Sequence, residues 1–325
     1  MPAVWSAQPL SPHLRSTAVV GAGAVGSFFG AMLARAGHAV TLIGRAPHVR
    51  AIESSGLQLH WAAGVETVRL AATTALDAVR GAGLVLFCVK STDTAALAEQ
   101  VAPLLDADAI VLSLQNGVDN AATIARHVRQ MVVPTVVYVA TSMPEPGVVK
   151  HFGRGDLVIG PLDAAAAQHE GQRQRLQAVV DLFASADVPV RLSPDVMAEL
   201  WSKLMVNCAY NAISGLAQMP YGRMAALAEI REVQRAVVRE VVAVAQAEGQ
   251  RLALEAAVEA MERIATAMPA QLSSTAQDMA RGKPTEIDHL NGYVARRGAE
   301  LGIATPVNQA LHALVKLVET GRASN

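Results

Sequence analysis

Three polar side chains stand out in an apolar stretch of this 325-residue sequence. In Leu200-Trp201-Ser202-Lys203-Leu204-Met205-Val206-Asn207-Cys208-Ala209-Tyr210-Asn211, the residues Lys203, Asn207 and Asn211 fall at i, i+4 and i+8. That spacing puts one amine and two carboxamides on one face of a helix. Asparagine is a poor helix former, so two in register ask for a reason. Carboxamides can bond a carbonyl or hydroxyl, and a half-buried lysine can give up a proton. The row therefore suits a general acid beside groups that hold a polar substrate. Spacing alone leaves equally open a polar seam satisfied between packed helices.

A second group of polar residues lies downstream. Ser273-Ser274-Thr275 is followed by Gln277-Asp278 and then by Gly282-Lys283-Pro284-Thr285-Glu286-Ile287-Asp288. Thr285 is placed to cap a helix, with Asp288 at the capping-box position three residues on. Capping accounts for Thr285 and Asp288 and leaves Glu286 unexplained. A carboxylate near Lys203 would hold the ammonium and tune its pKa. Ser274 could donate to a substrate carboxylate.

Near the N-terminus, Gly21-Ala22-Gly23-Ala24-Val25-Gly26 has the G-x-G-x-x-G form. It follows an apolar strand pattern, opens a helical pattern ending near Gly37, and is followed by the apolar run Val40–Ile43. In that βαβ context the glycines permit a tight turn, close approach of a pyrophosphate, and close helix–strand packing. The phosphate charge would sit on the unpaired N–H groups at the helix start. NAD sites usually place an acidic residue about 20 residues on, against the ribose diol. Here the second strand ends in Gly44-Arg45, and no acidic residue precedes Glu53. A guanidinium at that strand tip suits a 2′-phosphate, with His48 and Arg50 adding charge. The expected cofactor is NADP(H).

These residues need a scaffold, and the patterning supplies two. Apolar runs at Thr17–Val20, Ala39–Ile43, Gly83–Val89, Ala109–Leu114, Val132–Val139 and Val188–Leu192 read as buried parallel strands. They alternate with alanine-rich helical stretches such as Ser27–Ala36 and Thr94–Leu105. The expectation is an α/β Rossmann domain, a mostly parallel doubly wound sheet, over 17–193. From 194 to 325 the period is helical, and an all-α substrate and catalytic domain is expected. Its helices are Val196–Ser214, Met224–Glu248, Leu254–Ala267, Thr275–Arg281, Glu286–Leu301 and Pro306–Glu319, with Gly249 and Gly302 as stops. Residues 1–16 read as a loose tail, and the run Ala164–Ala167 as a loop or helix start.

Composition narrows the classes. The chain is 52% hydrophobic and 17% charged, with net charge −1. That describes an ordered globular protein, with no nucleic-acid or membrane partner called for. Two cysteines, Cys88 and Cys208, exclude a disulfide framework and fit a reducing cytoplasm. No apolar run reaches the ~18 residues of a membrane span. The nine histidines show no metal-ligand spacing and no G-x-S-x-G elbow occurs, so metal-dependent and hydrolytic chemistry are not expected.

Taken together, these residues resemble the ketopantoate reductases (2-dehydropantoate 2-reductases). The resemblance runs from Ala18 to Glu319. It is carried by Gly21–Gly26, Cys88-Val89-Lys90, Gln115-Asn116-Gly117, Gly153–Gly160 after Pro146-Gly147, Trp201–Asn211, Gln277-Asp278, Thr285-Glu286-Ile287-Asp288 and Asn291-Gly292. It implies that Lys203 is the catalytic general acid, that Asn207 and Asn211 bind substrate, and that Ser274 contacts the substrate carboxylate. It implies Glu286 near the nicotinamide ribose and the lysine. Lys90 and Asn116 would line the nicotinamide pocket, with Ala140 after the strand that backs it. Arg45 would read the NADP phosphate. Three departures stand beside it. Better-known members carry an Asn near position 221, where this chain has Tyr221. The loop Thr141–Pro146 looks longer, and is expected at the substrate mouth. The tail before Ser16 has no counterpart.

The resemblance implies NADPH-dependent reduction of a small 2-oxo acid, ketopantoate first, in pantothenate biosynthesis. The substrate would bind in the cleft where the carboxyl edge of the sheet faces the helical domain. A dehydrogenase of other branched or aromatic D-2-hydroxy acids, of the mandelate type, and an NADPH-binding regulatory protein are the alternatives. A homodimer is an open option.

Overall fold

The computed structural model describes residues 14–163 and 169–323. Of the expected tail (residues 1–16), residues 1–13 lie outside the described residues, as does the alanine run at 164–167; beyond them the chain is not loose, since Leu14 is buried in the core and Ser16 opens the first strand. The described residues fall into two compact units: those within Met1–Gln115 and Asp119–Val196, and those within Asn116–Val118 and Met197–Asn325.

The first unit runs β1 (Ser16–Val20), α1 (Ala24–Arg35), β2 (Ala39–Ile43), α2 (Ala46–Ser55), β3 (Leu57–Trp61), β4 (Gly64–Val68), β5 (Ala71–Thr73), β6 (Leu84–Phe87), α3 (Thr94–Val101), β7 (Ile110–Ser113), α4 (Asn120–Ala125), β8 (Met131–Glu145), β9 (Val148–Ile159), α5 (Glu170–Ala184) and β10 (Val190–Leu192). Nine strands follow the order β4-β3-β9-β8-β7-β6-β1-β2-β5, and β10 pairs with β9. All pairings are parallel except β3 with β4 and β8 with β9.

Strand alternation explains the two-sided burial. Val19, Leu42, Leu84, Leu86 and Leu112 face a core completed by Phe28, Phe29 and Leu33 of α1 and by Leu176, Val179 and Phe183 of α5. Ala18, Val20, Val85, Phe87 and Val111 face the other way, onto Ala98 and Val101 of α3 and Ala121 and Ile124 of α4. Each of the larger side chains, fully buried, contributes about 1.5–3 kcal/mol. Helices on both faces of a mostly parallel sheet make this the doubly wound arrangement expected from the sequence.

Two expectations in this unit are corrected. The segment Thr141–Glu145 is strand, not loop: β8 runs on antiparallel to β9, and Glu145 pairs with Val148 across the turn Pro146-Gly147. Gly147 has φ +75°, as the third residue of such a Pro-Gly turn requires. The run Val132–Val139 is thus the inner part of a longer strand, parallel to β7 on one side and antiparallel to β9 on the other.

The second unit is helical: α6 (Val196–Ala217), α7 (Tyr221–Ala225), α8 (Ala228–Ala247), α9 (Leu254–Ala267), α10 (Ser274–Ala280), α11 (Asn291–Leu301) and α12 (Pro306–Ala323). Helix α8 buries Gln234, Val237, Val238, Val241, Val242, Val244 and Ala245, a stripe with the 3.6-residue period. The expected helix Met224–Glu248 is broken at Ala226-Leu227. The expected helix Glu286–Leu301 is broken at Leu290 (φ −111°, ψ −107°), which leaves a single 3-10 turn at Ile287–His289 before α11. The capping box is not formed. Thr285 Oγ1 accepts from the Ile287 N–H at 3.3 Å, but the Asp288 carboxylate turns to α12 instead.

A buried polar chain ties four of these helices. Glu240 of α8 accepts from the N–H groups of Val307 and Asn308 at 2.9 Å and from Asn308 Nδ2 at 2.7 Å, so it caps the start of α12. Asn308 Oδ1 accepts from Asn291 Nδ2 at 2.9 Å. Asn291 Nδ2 also donates to the carbonyl of Cys208 in α6 at 3.1 Å. Asn291 and Asn308 are both fully buried.

Candidate active site

Each unit carries its own group of candidate residues. In the first, the turn between β1 and α1 is built from Gly21 to Gly26. Gly21 has φ +109°, and a Cβ there would stand 2.7 Å from the Cys88 carbonyl carbon. A Cβ at Gly26 would stand 2.2 Å from the Gly21 carbonyl oxygen. These two glycines let the turn close on itself and on the end of β6. Gly23 differs: a Cβ there would meet nothing within 4 Å. Gly23 is the N-cap of α1, with no side-chain cap and no acidic residue in the first turn. The N–H groups of Ala24, Val25 and Gly26 therefore head the helix without an intrahelical partner. Ala22 is buried beneath them, its N–H donating to the Ile43 carbonyl at 3.1 Å.

The tip of β2 lies against this turn: a Cβ at Gly44 would be 2.5 Å from Ala22 Cβ. Arg45 follows as the exposed N-cap residue of α2, in extended conformation. The residues present fit a phosphorylated dinucleotide: open space over an uncapped helix start, with a guanidinium at the adjoining strand tip.

Lys90 sits half-buried just past β6, at the start of a 3-10 turn (Ser91–Asp93). A buried network fixes that loop. Gln115 Nε2 donates to the Val89 carbonyl at 3.0 Å and to Thr94 Oγ1 at 2.6 Å. Thr94 Oγ1 donates to Asn120 Oδ1 at 2.9 Å, and Asn120 Nδ2 donates to Ser91 Oγ at 3.1 Å. Ala140 lies half-buried on β8, opposite Gly153, between two register shifts.

In the second unit, α6 carries Lys203, Asn207 and Asn211 in one row. Lys203 and Asn207 are half-buried and Asn211 is buried. Asn211 Nδ2 donates to Ser274 Oγ at 3.5 Å, and its Oδ1 accepts from the Tyr221 hydroxyl at 3.5 Å. Ser274 is exposed at the start of α10. Its neighbour Ser273 is the N-cap, accepting from the Ala276 N–H at 3.0 Å and donating to the Asn211 carbonyl at 3.3 Å. Helices α6 and α10 touch at Gly215, where a Cβ would stand 2.8 Å from both Thr275 and Met279. Burial pushes the Tyr221 hydroxyl pKa up, so it stays a neutral donor.

Glu286 is half-buried, and its Oε2 accepts from Asn116 Nδ2 at 3.2 Å. Asn116, remote in sequence, thus groups with the helical residues. The structure brings together Asn211 with Ser274, and Asn116 with Glu286. Tyr221 and Ser273 join this group through their bonds to Asn211. In the sequence Tyr221 stands out only as a departure from the family pattern, and Ser273 only as an N-cap serine.

Among the described residues there is no group of three or more His, Cys, Asp or Glu that could hold a metal ion. No helix among them is long and apolar enough to cross a membrane. Cys88 and Cys208 have thiol pKa values pushed up by burial.

A Rossmann-type unit with an uncapped glycine turn, followed by a helical unit bearing an amine and two carboxamides in line, is the architecture of a nicotinamide-linked oxidoreductase. The family model described as ketopantoate reductase PanE/ApbA matches residues 17–164, and that for its C-terminal part matches 195–319. A 2-dehydropantoate 2-reductase of Halobacterium salinarum is 34% identical over 305 residues, covering 93% of this chain and 98% of its own. The crystal structure of a PanE/ApbA family ketopantoate reductase from Ralstonia eutropha JMP134 is 50% identical, with a TM-score of 0.86 over 95% of this chain and 99% of its own. A D-mandelate dehydrogenase bound to NADH and anilino(oxo)acetate has a TM-score of 0.87 at 24% identity, covering 95% of this chain and 99% of its own, a likeness of fold alone. The chain belongs to the ketopantoate reductase PanE/ApbA family.

Proposed function

We propose that this protein reduces a small 2-oxo acid to the 2-hydroxy acid with NADPH, ketopantoate being the first substrate to test. The observation that carries this reading is the intact row Lys203, Asn207 and Asn211 on α6, in a chain of this family. NADPH, when bound, supplies hydride to the substrate's C2 carbonyl carbon. The N–H groups heading α1 bind the pyrophosphate, with Gly23 leaving room for it. Arg45 grips the 2′-phosphate with paired N–H donors. Lys90 and Ala140 line the nicotinamide side.

On the substrate, Lys203 Nζ gives its proton to the keto oxygen as negative charge builds there. Asn207 and Asn211 hold the substrate's polar groups beside that oxygen. The Tyr221 hydroxyl occupies Asn211 Oδ1, which leaves the Nδ2 donors to face Ser274 and the substrate. Ser274 donates to the substrate carboxylate. Glu286, held by Asn116, accepts from the nicotinamide ribose and steadies the Lys203 ammonium.

Two measurements test this. Oxidation of NADPH is followed with ketopantoate beside other branched and aromatic 2-oxo acids, and kcat/KM ranks them. Lys203→Ala should lower kcat by on the order of 10²–10⁴-fold with the fold retained, the usual effect of losing a general acid. Near-normal turnover in that variant sinks the assignment.

A further inference from the structure

Glu286 sits on a short, irregular segment. Its own backbone (φ −100°, ψ 23°) is not helical, and it caps the 3-10 turn at Ile287–His289 without a side-chain cap bond. Such a segment has few backbone bonds of its own, so its geometry must be imposed from outside. The imposing element is α12. Its residues His312, Lys316 and Glu319 lie four and three positions apart, which aligns them on one face. All three meet the residues flanking Glu286. Glu319 Oε1 accepts from the Thr285 N–H at 2.7 Å. On the other side of Glu286, the Asp288 carboxylate is shared: Oδ1 with His312 Nε2 at 2.6 Å, Oδ2 with Lys316 Nζ at 2.8 Å. Lys316 Nζ also lies 3.3 Å from Glu319 Oε2, so one ammonium joins the two anchors.

Further contacts fix this clamp. A Cβ at Gly292 would stand 2.8 Å from the His312 ring, so only glycine there lets His312 reach Asp288. Ile287, between the anchors, is fully buried. Burial pushes the Asp288 carboxyl pKa up, but the bonds from Lys316 and His312 outweigh it and the net direction is down. Asp288 is thus held as the carboxylate, able to accept from both partners at once.

We propose that Lys316 and Glu319, with Asp288 and His312, are positioning residues for Glu286: a clamp on α12 that sets where the Glu286 carboxylate points. This rests on the reading that Glu286 serves the reaction. None of the clamp residues need touch substrate. Their effect passes through Glu286 alone, and that makes the proposal separable from a general contribution to stability.

The test is a thermodynamic cycle on the full-length enzyme with NADPH and its best 2-oxo acid. Glu286→Gln, Glu319→Ala and the double variant are compared in kcat and in KM for each substrate, with Tm alongside. Lys316→Met and Lys316→Arg form a second series, in case Glu319→Ala fails to fold. The expected result is a loss of on the order of 10- to 100-fold in kcat/KM for Glu319→Ala and for Lys316→Met, up to the scale of a group misplaced by about 1 Å. Lys316→Arg should recover most of it. With Gln already at 286, Glu319→Ala should cost nothing further, because coupled residues do not add. Equal losses with Glu or Gln at 286, or a lowered Tm with unchanged kinetics, overturn the clamp while leaving the role of Glu286 intact. A Glu286→Gln variant with wild-type kcat/KM overturns both, and is told apart by that variant alone.

Discussion

Glycine 23 offers a substitution whose effects on folding and on binding come apart. Its backbone (φ −79°, ψ −171°) suits alanine, and an added Cβ would meet nothing within 4 Å. The folded chain therefore has room for Gly23→Ala. The remaining penalty is the preference of an N-cap for Gly over Ala, up to about 1 kcal/mol. For a protein of this size that lowers Tm by roughly 2–4 °C at most. Binding is another matter. The methyl would stand where a pyrophosphate approaches the N–H groups of Ala24 to Gly26, and losing one charge-assisted bond costs about 1.5–3 kcal/mol. At about 1.4 kcal/mol per tenfold, the Kd for NADPH should rise by roughly 10- to 150-fold. Gly21→Ala is the control with the opposite balance. Its φ of +109° and a 2.7 Å approach to the Cys88 carbonyl carbon strain the turn itself, so Tm should fall much further. The assay is fluorescence titration with NADPH beside a thermal melt for each variant. A Gly23→Ala protein that keeps wild-type affinity would refute the placement of the pyrophosphate over that residue.

Two further outcomes follow from the same geometry. Arg45→Ala should raise KM for NADPH by roughly 10-fold or more, the loss of a charged hydrogen-bond donor, and leave KM for NADH nearly unchanged; equal effects on both coenzymes remove Arg45 from the phosphate site. Tyr221→Phe frees Asn211 Oδ1 in a buried setting, so KM for the 2-oxo acid should rise by about fivefold, near 1 kcal/mol, with kcat within about twofold; an unchanged KM in steady-state kinetics removes Tyr221 from the binding of substrate.

What could be read from the chain followed the range of its interactions. The glycine turn and the strands on either side of it are local, and their apolar runs match β1 and β2 closely. The row on α6 was readable because helical spacing alone aligns Lys203, Asn207 and Asn211. The β8–β9 hairpin was not, because Thr141-Ser142-Met143-Pro144-Glu145 alternates weakly and contains a proline, and only pairing with β9 makes it strand. The break at Leu290 was hidden for a related reason. Thr285-Glu286-Ile287-Asp288 has the pattern of a helix start, yet Asp288 finds stronger partners in His312 and Lys316 and leaves the cap unmade. Tyr221 reaches Asn211 across ten residues and Glu319 reaches Thr285 across 34, so neither contact has a local signature.

The buried chain from Glu240 through Asn308 and Asn291 to the Cys208 carbonyl has a consequence for how the helical unit comes apart. Lifting α12 away would orphan a half-buried carboxylate on α8 and a buried amide on α11, at about 1–3 kcal/mol for each neutral group and more for the charge. Moving α11 would strip a partner from the carbonyl at the middle of α6, between Lys203 and Asn211. No one of these helices has an inexpensive way to open alone. Helices α6, α8, α11 and α12 should therefore surrender their slowest amide protons together, as one cooperative block. The row Lys203, Asn207 and Asn211, proposed to hold the substrate, would then share the full stability of that block and keep its alignment through every lesser fluctuation of the chain.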